Sequence, residues 1–479
     1  MPLLYSDEIM LLTCIAMASF VGLIILLMRT LTDAADKKTT VFWTLAGIAI
    51  ATLKIFLIQL TPQWSDLPLD SITYQLHAQA LYMHWIGVPV DPYEYRLNGY
   101  ISLAKPGFTY YWVPNEGLSY TAVLGTHAWF YSALVAIWQF MTDDWILTAI
   151  LVNATMAGAF PAATYIITRE LSAPTKTCHV AAILMAIDPL TAINSSWLIK
   201  DTLSTFLSAI IIISICALYK RASFKFIVIL AISLGLIGCV RFVAYTAFGV
   251  MIFGLVACLV FKKNNARALG LSISAIMAVF IWGAIYFAPY AKATPYVIQS
   301  SFEQESVRPL AHGVGQLGSA LSGAIKGQIS TLNANTAESG ADESVIKWYA
   351  YINEEPVAKI VSRSLARTLL APYPWTLFTQ PLTRSNHIEL YLFGMLFWTL
   401  VLPGVLAGTV IMLRKGVLAY SLVTLLIIIA IAYIIFFGEW STRQRVFMMP
   451  LFLALSAIGW TQIWLFVSKK KQNSHIEKN

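Results

Sequence analysis

Residues 9–28 read IMLLTCIAMASFVGLIILLM, an apolar stretch without one charged side chain. A helix needs about 20 such residues to cross the hydrocarbon core of a bilayer, and it satisfies its own backbone hydrogen bonds while doing so. The strands of a transmembrane barrel would alternate apolar and polar positions, and this stretch does not. It follows the acidic Asp7 and Glu8 with no basic region ahead of it, and it is too long for the core of a signal peptide. It therefore reads as a membrane span.

Runs of the same kind recur almost to the end of the 479-residue chain, which is 58% hydrophobic and 12% charged with a mean hydropathy of +0.69. The expected fold class is an all-α polytopic membrane protein, one integral membrane domain over 1–479. About twelve spans are expected, near 8–29, 40–60, 119–140, 145–168, 179–195, 202–219, 225–240, 242–261, 268–289, 389–413, 417–437 and 446–468. The five cysteines, Cys14, Cys178, Cys216, Cys239 and Cys258, are scattered in or beside these runs without paired spacing, which argues for apolar fillers over disulfides or zinc. No internal repeat is visible.

The formal net charge of +8 could suit nucleic acid, but its distribution assigns it to topology. Arg29, Lys37 and Lys38; Arg169 and Lys176; Lys220, Arg221 and Lys225; Lys262, Lys263 and Arg267; Arg414 and Lys415; and Lys469 to Lys471 fall on alternate connections. By the positive-inside rule that side is cytoplasmic, which puts the amino end outside and the carboxyl end inside. Two long segments then lie outside, 61–118 and 291–387. The first is rich in Trp, Tyr, Pro and acidic residues. The second holds a Gly/Ser/Ala/Asn tract, Gly313 to Gly340, then an expected helical stretch over 344–370 that ends at APYPW.

Four cations on the outer side run against the positive-inside bias: Lys200 in NSSWLIKDTLSTF (194–206), Arg241 in GCVRFVAY (238–245), and Arg443 and Arg445 in GEWSTRQRVFMMP (438–450). Singly each has a structural explanation; Lys200 can snorkel to water, and Asp201 can cap the next helix. Together they suit a phosphate-bearing ligand, since guanidinium groups bind phosphate through paired hydrogen bonds. The carboxylates are in the first long segment, where Asp66 and Asp70 precede an expected helix. Asp70, Tyr74 and His77 are spaced to share one helix face. A capping role for Asp70 and an aromatic-belt role for Tyr74 are compatible with this reading. A carboxylate beside an anion site suggests group transfer from a lipid-linked phosphate, with the carboxylate as base on a hydroxyl acceptor and the cations stabilising the departing phosphate.

These residues resemble the GT-C superfamily of membrane glycosyltransferases, family-39-like enzymes related to the protein mannosyltransferases and the lipid A aminoarabinose transferase. The resemblance covers the whole plan of spans and rests on DLPLDSITYQLHAQAL (66–81), SSWLIKD (195–201), APYPW (371–375) and STRQRVFMMPLFLALSAIGW (441–460). It implies a polyprenyl-phosphate sugar donor, an active site at the periplasmic face of a bacterial inner membrane, and an aspartate base, best matched by Asp70 with Asp66 as substitute. Arg443 and Arg445 match arginines that contact phosphate; Tyr74 and His77 would line the acceptor or sugar side. The chain departs from the family in an extra span ahead of the aspartate segment and in lacking an adjacent acidic pair there.

No cofactor is expected. His77, His84, Asp91, Glu94 and Glu116 show no metal-ligand spacing, so loop and packing roles are favoured for them, with a divalent metal left open. Trp64, Trp85, Tyr93, Tyr95, Tyr110, Tyr111 and Trp112 could stack on sugar faces or form an interfacial belt. The expected partners are a polyprenyl-phosphate sugar, a glycan, lipid or protein acceptor, and membrane lipids, with no nucleic acid. The expected activity is an inverting hexosyl or pentosyl transfer from that donor. Two alternatives stay open: an O-antigen polymerase or ligase using lipid-diphosphate oligosaccharides, and a transporter or flippase of a lipid-linked anion. Transporters commonly place ionisable groups near mid-membrane, and Asp188-Pro189 is the main candidate of that kind here.

Overall fold

A computed structural model describes residues 7–61, 74, 78, 81–82, 95–96, 101–105, 108–112, 121–122, 129–142, 149–287, 362, 365–366, 369–370, 388–437 and 445–476. Helices stand at all twelve expected spans. They are α1 (Asp7–Leu31), α2 (Lys37–Leu60), α3 (Trp129–Thr142), α4 (Ala154–Gly158) continued by α5 (Phe160–Glu170), and α6 (Thr175–Ile187) continued by α7 (Pro189–Ser196). Then come α8 (Asp201–Lys220), α9 (Phe224–Val240), α10 (Phe242–Phe261), α11 (Asn265–Phe287), α12 (Ile388–Leu413), α13 (Val417–Phe437) and α14 (Met449–Ile476). Among the described residues, 8 helices are long and apolar enough to cross a membrane, or 9 when the bent pair α6 and α7 counts as one. The chain is a helical, multi-pass membrane protein.

In the third expected span, 119–140, the described helix is Trp129–Thr142. Thr121–Ala122 is instead a strand (β4), antiparallel to Tyr95–Arg96 (β1), so ladder hydrogen bonds replace helical ones there. Within the first long segment Ile101–Lys105 (β2) also pairs antiparallel with Phe108–Trp112 (β3), Ile101 opposite Trp112. In the second long segment Ser362, Leu365, Ala366, Leu369 and Leu370 are helical, as expected for 344–370.

Burial divides the helices into a centre and a rim. Of the apolar stretches in Leu151–Glu170 and Asp201–Lys220, 94% is buried, against 17% for Thr13–Leu31 and 28% for Asn265–Ile285. The rim turns large apolar side chains outward, among them Leu23, Phe42, Phe253, Phe261 and Phe280, as helices facing lipid acyl chains must. Hydrophobic burial does not drive association in lipid, so close packing carries it instead. Gly47 of α2 lies against the Gly158 backbone, and Gly404 and Gly408 of α12 meet Leu455 to Gly459 of α14, backbone on backbone.

One end of the bundle gathers the connections that carry the alternating positive charge. There Arg169 bonds Asp36 at 3.1 Å, Lys220 bonds Glu170 at 2.9 Å, and Arg221 pairs with Asp33. Lys225 Nζ donates to Thr30 O at 2.8 Å. These ties join the α1–α2, α5–α6 and α8–α9 connections at a single end, as the alternation of charge requires. The candidate site lies at the other end.

Candidate functional site

The turn between α7 and α8 is fixed from several sides. Asn153 Nδ2 donates to Trp197 O at 2.8 Å, Gln59 Nε2 donates to Ser196 O, and Thr202 Oγ1 bonds Ser195 Oγ at 3.1 Å. Lys200 stands at the start of α8, and Ser204 Oγ returns a 2.9 Å hydrogen bond to its carbonyl. Its side chain is half-buried.

Asp201, next in the chain, is buried at the first position of α8, where the helix dipole favours a carboxylate. It forms an ion pair with Arg241, the residue at which α9 ends and α10 begins. The same guanidinium donates from Nη1 to Tyr433 Oη of α13 at 2.6 Å and stands 4.8 Å from the Phe447 ring centroid. Four segments thus converge on Arg241: α8, the α9–α10 joint, α13, and the tight turn Val446–Met448 that leads into α14. The side-chain exposures, 10% for Arg241 and 1% for Asp201, mark a pair withdrawn from solvent.

Arg445 precedes the same turn and is 1% exposed. Its guanidinium lies 4.2 Å above the Trp398 ring and reaches toward Leu369 O at 3.5 Å, an oxygen that also accepts Trp398 Nε1 at 2.8 Å. The carbonyl of Leu369, in the second long segment, is therefore held by α12 and by the approach to α14 together.

From the first long segment, Tyr74 is buried edge-on against Tyr131 of α3, ring centroids 5.2 Å apart. Both long segments accordingly reach the end of the bundle that carries Lys200, Asp201, Arg241 and Arg445.

Of the residues singled out in the sequence, Lys200, Arg241, Arg445 and Tyr74 come together at this end. Asp66, Asp70, His77 and Arg443 lie outside the described residues, as do His84, Asp91, Glu94 and Glu116. Sequence reasoning gave Asp201 only a capping role and passed over Tyr433, Phe447 and Trp398, which sit in or beside apolar runs and look there like ordinary membrane aromatics. Among the described residues around the α7–α8 turn, Lys200, Arg241 and Arg445 gather beside Asp201, and cations held in a surrounding of low dielectric attract anions strongly. Among the described residues no group of three His, Cys, Asp or Glu side chains is placed to hold a metal ion.

No protein-family model matches the sequence, and no curated protein matches it. Among solved structures, the chain is similar to the apo crystal structure of the oligosaccharyltransferase of Archaeoglobus fulgidus, with 18% identity and a TM-score of 0.46, over 90% of this chain and 52% of that one. It is likewise similar to the archaeal oligosaccharyltransferase AglB of that organism in complex with an inhibitory peptide and a dolichol-phosphate, with 17% identity and a TM-score of 0.46, over 90% and 52%. The chain spans about half the length of the solved structures it matches.

Proposed function

We propose that the protein is a membrane glycosyltransferase of GT-C type that moves a sugar from a polyprenyl-phosphate donor to a hydroxyl-bearing glycan, lipid or protein acceptor at the periplasmic face of a bacterial inner membrane. The observation that carries this reading is the gathering of Lys200, Arg241 and Arg445 at the one end of the bundle that both long segments reach. In this reaction the acceptor oxygen attacks the anomeric carbon as the bond from that carbon to the phosphate oxygen breaks. The acceptor proton passes to Asp70, or to Asp66 in its place, and the cations hold the lipid phosphate as negative charge develops on it. Arg443 is assigned to the same phosphate, Tyr74 and His77 to the acceptor or sugar side.

A transport reading would rest on ionisable groups inside the span, where Lys54 and Asp188 stand. Both are engaged in backbone hydrogen bonds, Lys54 to Ala186 O at 2.5 Å and Asp188 from Leu190 N at 3.0 Å. That employment favours catalysis at the bundle end over passage through its middle.

The test is turnover of a panel of polyprenyl-phosphate sugars by the protein in nanodiscs, beside Asp70→Asn. Release of free polyprenyl phosphate by the wild type, lost in the variant while donor binding persists, is the expected result. Turnover of a lipid-diphosphate oligosaccharide alone, indifferent to Asp70→Asn, would overturn both the donor and the base.

A further inference from the structure

The break at Asp188-Pro189 bends α6 against α7 by 45° inside an otherwise apolar span. In a continuous helix Leu190 N–H would bond the Ala186 carbonyl four residues back. Here Leu190 N donates to Asp188 Oδ1 at 3.0 Å and Thr191 N to Asp188 Oδ2 at 3.1 Å, while Pro189 has no N–H to give. Ala186 O is therefore released, and Lys54 Nζ of α2 takes it at 2.5 Å, together with Asp188 O at 3.2 Å. One acidic and one basic side chain replace the hydrogen bonds that the bend removes.

Five residues further along α2, Gln59 Nε2 donates to Ser196 O, the last residue of α7. α2 thus grips α7 at both ends. Beyond Ser196 come the turn at Trp197 and then Lys200 and Asp201. Because a continuous apolar helix would satisfy the same backbone without bringing an ammonium among Ala51, Ile55 and Met185, stability alone does not account for the arrangement. The bend sets the direction in which α7 delivers the turn.

We propose that Lys54 and Gln59 are positioning residues: by fixing the two ends of α7 on α2, they place Lys200 and the Asp201–Arg241 pair for the lipid phosphate. This rests on the reading of that end as the donor site, and the experiment has one arm that does not. Hydrogen–deuterium exchange of residues 185–200 reads the grip itself, with residues 205–218 of α8 as internal control. Affinity for undecaprenyl phosphate in nanodiscs reads the site.

Lys54→Met is expected to speed exchange of 185–200 by tenfold or more, to leave 205–218 unchanged, and to raise the Kd for undecaprenyl phosphate about tenfold. Lys54→Arg, which keeps the charge and the donors, should restore both, and Gln59→Leu should deprotect the Ser196 end alone. Unchanged exchange at 185–200 in Lys54→Met overturns the grip. Faster exchange with unaltered affinity overturns the positioning role, as does loss of affinity in Lys54→Met that Lys54→Arg fails to restore. Where the wild type binds no undecaprenyl phosphate, the donor site and the positioning role fall together, while the exchange arm still decides the grip.

Discussion

Asp201 and Arg241, 40 positions apart in the chain, are joined as a buried ion pair that ties the start of α8 to the joint between α9 and α10. Removing one partner leaves the other charge buried and uncompensated. Asp201→Ala should therefore cost about 3–5 kcal/mol, and Asp201→Asn less, since the amide still accepts a hydrogen bond. Unfolding in SDS titrations measures both. In a double-mutant cycle with Arg241→Met the losses should be far from additive, because the second change removes the stranded charge.

Trp398 and Arg445 share the Leu369 carbonyl, and the ring and the guanidinium also stack. Trp398→Phe keeps an aromatic surface but removes the indole N–H, so a loss of about 0.5–1.5 kcal/mol is expected. Arg445→Ala removes a buried cation and its ring contact together and should cost more. Thermal unfolding of the two variants in one detergent would reverse the assignment if Trp398→Phe proved the more damaging.

The glycines divide into two kinds that one assay separates. A Cβ at Gly408 would meet the Leu455 backbone, and one at Gly459 would meet Gly404 O, so Gly408→Ala or Gly459→Ala forces α12 and α14 apart. Overpacking of this kind costs about 1–3 kcal/mol. Gly249 and Gly254 of α10 have nothing within 4 Å of a Cβ, and alanine there should be neutral or slightly stabilising. Folded yield of the four variants, read by size-exclusion chromatography, tests the contrast.

At the opposite end, Asp33 and Asp36 look alike in the sequence but differ in their employment. Asp33 pairs with Arg221 where the side chains are 55% and 43% exposed, and Asp33→Ala should cost less than about 1 kcal/mol. Asp36, 14% exposed, accepts Tyr165 Oη at 3.0 Å and Arg169 Nε at 3.1 Å. Its loss strands a buried tyrosine hydroxyl, and Asp36→Ala should cost roughly 1.5–3 kcal/mol. Equal losses in a denaturant series would contradict this ordering.

The helical body was legible because lipid enforces it: an uncharged run of bilayer length has no other way to satisfy its backbone. The alternation of basic connections likewise anticipated which connections meet at one end. Arg241 stood out as a cation on the wrong side, but its bond to Asp201 depends on how α8 and α9 pack, which no local pattern encodes. Asp188-Pro189 announced a break through the missing N–H of proline, yet Lys54 as its complement could be found only once α2 lay beside it. The strand at Thr121–Ala122 was missed because its partner, Tyr95–Arg96, comes from elsewhere in the segment, and pairing partners are invisible to local hydropathy. Asp66, Asp70, His77 and Arg443 remain assignments from the sequence, outside the described residues.

The enclosure of α4 and α5 bears on how the chain is made. Their stretch, Leu151–Glu170, has the lowest hydropathy of the eight, 1.2, and is 94% buried against α2, α6, α8 and α14. Of these neighbours only α2 has been synthesised when that stretch leaves the ribosome, and α14 follows some 280 residues later. Until then its buried hydroxyl side chains, Thr155, Thr164 and Thr168 among them, belong to a helix that lacks most of its final neighbours. A polypeptide interrupted before Val446 would leave the α14 flank of this least apolar span open to lipid.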